Sequence, residues 1–302
     1  MFDLPLVSIV TPSYNMREYL RDALESILSQ DYPRIECVVV DGGSTDGTPE
    51  LLKSYNGRVR WVSQPDDGAA DAINRGFAMC RGDVFAWLNA DDWYFPGAIA
   101  RAVQLLGKKP EVDVLYGRAN WVDDTGRVVA AYPTRPFDPD WLRHECFICQ
   151  PAAFLRARAF RDVGGLDTSL SCSFDYDLWI RLADSHGFAF TEEYFASSRM
   201  HASNKTLGRR QQVFEETIAV LARHYGYVPF RLIYSYFCYK RDGRDQFYDV
   251  LRPSLSAYVM TLPAGLRLNR AHPLRYVREW GTAMSFEGLL RTVRRQMPGG
   301  SE

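Results

Sequence analysis

The sequence predicts an α/β fold, a mostly parallel sheet flanked by helices, followed by a C-terminal helical appendage. Three observations carry this reading. Short apolar runs alternate with helical patterns over residues 6–92, polar clusters close the apolar runs, and the character of the chain changes after Gly208. A length of 302 residues, with 46% hydrophobic and 24% charged, suits one large globular domain plus an extension.

Leu6–Val10 reads as a buried strand ending in the polar turn Thr11 to Asn15, and Tyr19, Ala23, Ile27 and Leu28 then share one helical face. Ile35–Val40 is a second strand, stopped by Asp41-Gly42-Gly43. Thr48 reads as a helix N-cap with Pro49 at the first helical position. Val59–Val62 is a third strand, Gly68–Cys80 a helix, and Asp83–Leu88 a fourth strand running into Asn89-Ala90-Asp91-Asp92. Strands joined by the turn Asp123 to Gly126 follow over Val112–Tyr132. A helix near Arg156–Val163 closes at Gly164-Gly165, another runs from about Asp175 to Ser185, and Phe188–Phe195 is a strand. Beyond Gly208, Val213, Phe214, Ile218, Leu221 and Tyr225 form a helical stripe, with further helical patterns near Leu255–Leu266 and Phe286–Val293. The division expected is a domain over residues 1–208 and a basic, aromatic-rich helical extension over 209–302.

The formal net charge of −1 argues against a nucleic-acid partner. It hides an asymmetry: residues 209–302 carry fifteen Lys/Arg against eight Asp/Glu, a net of +7, which leaves residues 1–208 at −8. Six cysteines are too few for a disulfide scaffold and suit a reducing, cytoplasmic setting. Cys146 and Cys149 form a lone CxxC and read as two small thiols rather than a zinc site. No signal peptide and no spanning segment are expected.

In a parallel sheet, ligands sit beyond the carboxyl ends of the strands, where the polar clusters fall. There is no GxGxxG after the first strand and no GxxxxGK[ST], so dinucleotide oxidoreductases and P-loop NTPases are disfavoured. Carboxylates at strand ends point instead to a phosphate ligand bridged by a metal ion.

Val7-Ser8-Ile9-Val10-Thr11-Pro12-Ser13-Tyr14-Asn15 resembles the opening of a family 2 glycosyltransferase. The stretches Val40 to Thr48, Asn89 to Trp93, Phe174 to Arg181 and Arg199-Met200-His201 are similar to further family motifs, in the family's order. The resemblance covers about residues 5–208 and implies a GT-A fold. It implies inverting transfer from a nucleotide-diphosphate sugar, with UDP as the expected nucleotide, to a glycan or lipid-linked glycan, as in surface polysaccharide synthesis. The alternative is a catalytically silent sugar-nucleotide or glycan-binding protein on the same fold.

Site residues are carried over from the matched motifs. Thr11, Pro12, Tyr14, Asn15, Asp41, Asp71, Asn74, Asn89, Ala90 and Asp91 are expected at the donor, with Asp41 on the nucleobase. Asn89-Ala90-Asp91-Asp92 resembles the DxD motif, with Asn at its first position; Asp91, Asp92 and His201 are the expected ligands of Mn2+ or Mg2+. Asp175 is the expected catalytic base, although a carboxylate at a helix start also reads as a cap. Turn or capping roles stand beside the donor roles of Asp41, Asp71 and Asn74. Lys205 could meet phosphate, and Gln150-Pro151 resembles an acceptor-side segment. Asp177 and Arg181, four apart on a helix, read as a side-chain pair. Residues 209–302 have two readings: peripheral docking on the inner membrane face, or packing against the catalytic domain or in a homodimer.

Overall fold

A computed structural model describes residues 4–243 and 253–283. The chain divides into two compact units, one of Met1–Asp138 with Cys146–Met200, the other of Pro139–Glu145 with His201–Glu302.

The first unit opens with β1 (Val7–Ser13), α1 (Arg17–Leu28), β2 (Ile35–Asp41), α2 (Thr48–Lys53), β3 (Arg60–Ser63), α3 (Ala69–Met79) and β4 (Val84–Trp87). β5 (Trp93–Tyr94), α4 (Ala98–Lys108), β6 (Val112–Val122) and β7 (Val128–Ala131) follow. The short α5 (Pro139–Leu142) belongs to the second unit. The first unit resumes with β8 (Ala153–Arg156), α6 (Ala157–Asp162), α7 (Phe174–Ala183) and β9 (Gly187–Arg199).

Among the described residues the strands form one sheet in the order β3-β2-β1-β4-β8-β6-β9-β5, with β7 on β6. β1 pairs in parallel with β2 and β4, β2 in parallel with β3, and β6 in parallel with β9. β8 joins the two halves antiparallel to β4 and β6. β1 and β4 are buried along their whole length, as parallel strands covered on both faces must be. α1 covers one face with Leu20, Ala23, Leu24 and Ile27. α3 lies close on the sheet because Gly76 has no side chain; a Cβ there would stand 2.4 Å from Cγ1 of Val10.

The α/β reading holds through the first half, with local corrections. β1 runs on through Thr11-Pro12-Ser13, which pair with Val39, Val40 and Asp41, so this stretch is strand rather than turn. Pro12 fits because its missing N–H removes only one ladder bond. Thr48 is the first helical residue of α2, not its cap; Gly47 holds the cap position at φ 88°. Asn89–Asp92 leads into β5, which pairs antiparallel with β9.

The second unit adds α8 (Lys205–Gly208), α9 (Arg210–Tyr225), α10 (Phe230–Asp242), α11 (Leu255–Leu268) and α12 (Pro273–Ala283). Asn269 is fully buried and pairs both ends of its amide with the Val228 backbone, at 2.7 and 3.0 Å. The expected helical pattern at Phe286–Val293 lies outside the described residues. Among the described residues, no helix is long and apolar enough to cross a membrane.

Candidate active site

The loops at the carboxyl ends of β1, β2 and β4 hold most of the expected residues. The first two loops are bonded to each other. Asn15 takes a left-handed backbone, φ 51°, which Asn tolerates better than most residues. From there its N–H donates to Oγ of Ser44 at 2.7 Å, and its Oδ1 accepts from the Thr45 N–H at 2.9 Å. Asp46 accepts from the Arg17 N–H at 2.9 Å and from both the N–H and hydroxyl of Thr48. Burial works to raise its carboxyl, but these bonds prevail and hold it below the usual carboxylate range.

Asp41 is fully buried. Its oxygens accept from the N–H of Ser44 at 3.0 Å, the hydroxyl of Ser63 at 2.6 Å, and the hydroxyl of Ser44. The carboxylate expected on the nucleobase is therefore also the hub that shapes the loop after β2. Beside it, the buried Thr11 and Ser13 hydroxyls have no hydrogen-bond partner among the described residues. Pro12 is buried between them, and Tyr14 is 61% exposed at the rim.

Asp71 accepts from the Asp67 N–H and pairs with Arg75 at 2.7 Å, both within or next to α3. Asn74 gives both ends of its amide to the Leu166 backbone, each at 2.9 Å. Asp66, outside the expected set, packs against Gly42; a Cβ on Gly42 would lie 2.8 Å from its Oδ2. Burial raises the Asp66 carboxyl, with the charges of Asp71 and Asp41 acting the same way against the bond from Gly68.

The loop after β4 uses its two aspartates differently. Asp92 is 3% exposed; Oδ1 accepts from the Arg199 N–H at 2.9 Å and Oδ2 from the Asn89 amide at 3.0 Å. Burial, and then the charge of Asp91, push its carboxyl well above the usual range, against the bonds from Arg199, Asn89 and Ser198. Asn89 also reaches Gln150 at 3.2 Å, and Gln150 donates to the Trp87 carbonyl at 2.7 Å. Ala90 is buried, and Asp91 is half-exposed.

Arg199 fastens this loop. Its Nε donates to the Asp91 carbonyl at 3.1 Å, Nη1 to the Asp124 carbonyl at 3.0 Å, and Nη2 to Oδ2 of Asp22 at 2.9 Å. The guanidinium also stacks on the rings of Tyr19 and Trp93, 4.6 and 4.8 Å from their centroids. Arg199 belongs to a matched motif, but no spacing in the sequence reveals a bond to a residue 107 positions away.

Asp175 is the second residue of α7, half-buried, and the cap position belongs to Ser173. Burial first, then the charges of Asp92, Cys146 and Asp175, push the Cys149 thiol well above its ordinary value. Neither Cys146 nor Cys149 forms a disulfide among the described residues. The Asp177–Arg181 pair closes at 2.8 Å, and Arg181 also donates to the carbonyls of Val163 and Gly165, bracing α7 on the Gly164-Gly165 turn.

His201 opens the second unit, 8% exposed, with Nδ1 2.8 Å from Oγ of Ser203. Among the described residues, no group of three or more His, Cys, Asp or Glu is arranged to hold a metal ion. The donor chemistry of the β4 loop still suits a hard divalent cation, since the partly accessible Asp91 carboxylate stands beside the oxygen donors of Asp92 and Asn89.

A parallel half-sheet with paired aspartates after its fourth strand, extended by β8, β6 and β9, is a fold of the GT-A type. The model of the family "Glycosyl transferase family 2" matches residues 8–164, and the chain belongs to that family. The chain is 28% identical to the chondroitin synthase of Escherichia coli over 207 residues, covering 68% of this chain and 30% of the synthase. Its fold matches S. aureus TarS 1–349 solved with UDP-GlcNAc, with a TM-score of 0.62 at 16% identity over 96% of this chain and 88% of that one. It also matches the mannosyltransferase PcManGT of Pyrobaculum calidifontis solved with GDP-Man and Mn2+, with a TM-score of 0.57 at 19% identity over 95% of this chain and 88% of that one. The chain spans between 30% and 66% of the length of five Rickettsia glycosyltransferases it matches.

Proposed function

We propose that this chain transfers a sugar from a nucleoside-diphosphate donor, with UDP as the nucleotide, to a hydroxyl of a glycan or lipid-linked glycan, with inversion. The observation that carries the reading is the Asn89–Asp92 loop at the carboxyl end of β4, where the partly accessible Asp91 stands beside the buried Asp92. The bound nucleotide sugars of TarS and PcManGT and the kinship with a chondroitin synthase support it.

In this reading Tyr14 at the rim and the end of β1 at Thr11 and Pro12 lie beside the nucleotide, while Asp41, Asn15 and Asp46 hold the loops around it. Asp91 is the carboxylate that would hold Mn2+ or Mg2+. Asp92, with both oxygens committed to internal donors, shapes the loop instead. When bound, the cation neutralises diphosphate charge and favours its departure. Asp175 accepts the proton of the acceptor hydroxyl as that oxygen bonds to the anomeric carbon from the face opposite the leaving group. The bond from the anomeric carbon to the phosphate oxygen breaks, and the nucleoside diphosphate leaves with the electron pair. General-base assistance of this kind is worth about 10²–10⁴ in rate.

The test is a panel of UDP- and GDP-sugars, incubated with the purified chain with and without chelator and followed for released nucleotide. Metal-dependent release from one donor supports the reading. Tight nucleotide-sugar binding without release or transfer to any glycan acceptor would favour a silent binding protein.

A further inference from the structure

α11 is apolar on both faces. Its inward face, with Ala257, Tyr258, Thr261 and Gly265, is already matched by α12. Tyr276 lies directly on Gly265, where a Cβ would overlap its ring, and its hydroxyl donates to the Thr261 carbonyl at 2.9 Å. Trp280 stacks on Tyr258 with centroids 4.6 Å apart. Leu255, Val259 and Pro263 repeat every four residues on the opposite side, and all three are exposed. Eleven large hydrophobic side chains are exposed among the described residues, and six of them lie here: Leu255, Val259, Met260, Leu268, Leu274 and Val277. Leu274 is 84% exposed and Leu255 73%. A helix apolar all round is normally buried or set against lipid, and a cluster of this kind marks a contact surface.

The charge on the hairpin selects the contact. Arg267, Arg270, Arg275 and Arg278 are all exposed. The one acidic residue of α11 and α12, Glu279, is half-buried and accepts from the Phe230 N–H at 3.0 Å. Exposed charge here has a single sign. Two copies meeting through this face about a two-fold axis would set arginine against arginine. An anionic leaflet attracts the same arginines while its acyl boundary takes up the leucines, valines and methionine.

We propose that the α11–α12 face seats this chain on an anionic lipid surface. The inference is independent of the transfer chemistry, since it rests on residues remote in sequence from every proposed catalytic group. The full chain is to be floated with phosphatidylcholine vesicles, with and without phosphatidylserine, at low and high salt. It should rise with phosphatidylserine vesicles at low salt and largely stay below at high salt. The variant Leu255→Asp/Val259→Asp/Leu274→Asp should remain at the bottom while melting close to the wild type, because these side chains are mostly exposed. The variant Arg267→Glu/Arg270→Glu/Arg278→Glu keeps the apolar face and should need about tenfold or more vesicles for the same binding. Wild type that stays below with phosphatidylserine vesicles at low salt overturns the proposal, as does equal flotation of both variants. A dimer that the aspartate variant splits, without flotation, assigns the face to a second copy instead.

Discussion

The loops after β2 and β4 each place two aspartates at the same edge of the sheet, and they use them in opposite ways. Asp41 and Asp46 both spend their oxygens inside the protein, on Ser44, Ser63, Arg17 and Thr48. After β4 the work is divided: Asp92 turns inward to Arg199 and Asn89, and Asp91 remains half-exposed beside it. A carboxylate saturated by backbone and hydroxyl donors is a scaffold. A carboxylate with solvent access at the sheet edge is where a cation can lower the electrostatic cost of bringing a diphosphate close.

The contrast breaks most sharply at Asp91. Asp91→Ala should abolish turnover while leaving the melting temperature near wild type, and chelation of the wild type should reproduce the loss. Full activity in chelated protein would remove the cation from the account. Next in size is Arg199. Arg199→Met keeps much of the volume but removes the bonds to the Asp91 and Asp124 carbonyls, at about 0.5–1.5 kcal/mol for each. Turnover per folded molecule should fall as well, with Arg199→Lys recovering part of it; loss of stability alone would make Arg199 a structural clamp without influence on the loop. On the scaffold side, Asp46→Ala should cost about 0.5–2 kcal/mol in chemical denaturation, the range of a lost helix-terminal bond, with donor affinity reduced only modestly.

The smallest effect is a pH slope. The folded-state pKa of Asp92 lies above its unfolded value, so the native chain binds the proton more tightly. Its contribution is most favourable at low pH and is lost as pH rises from the ordinary carboxylate range through the raised pKa. Asp92→Asn should flatten that part of the stability profile measured by melting. An unchanged profile would show that Asp92 ionises as an exposed carboxylate does.

The alternation of strands and helices through Leu88 was legible because each parallel strand is a continuous apolar run and each helix shows its own period. The Asp123–Gly126 turn and the Asp177–Arg181 pair were legible because they are local. β1's extension through Ser13 was not, since polar residues at a strand end look like a turn until a neighbouring strand pairs with them. β8 and β5 are four and two residues long, too short for a period to appear. Asp66 and Arg199 act through contacts that chain spacing does not encode: Asp66 on Gly42, Arg199 on Asp91 and Asp92.

Asp175 carries the central claim, and one paired measurement addresses it: donor affinity and transfer rate for Asp175→Asn against wild type. Asparagine keeps the shape and one oxygen but is not a base. Donor affinity should stay within a few-fold, with the transfer rate down by about 10²–10⁴. An Asp175→Asn protein that transfers at the wild-type rate would contradict the account and leave Asp175 as an ordinary residue of the first turn of α7.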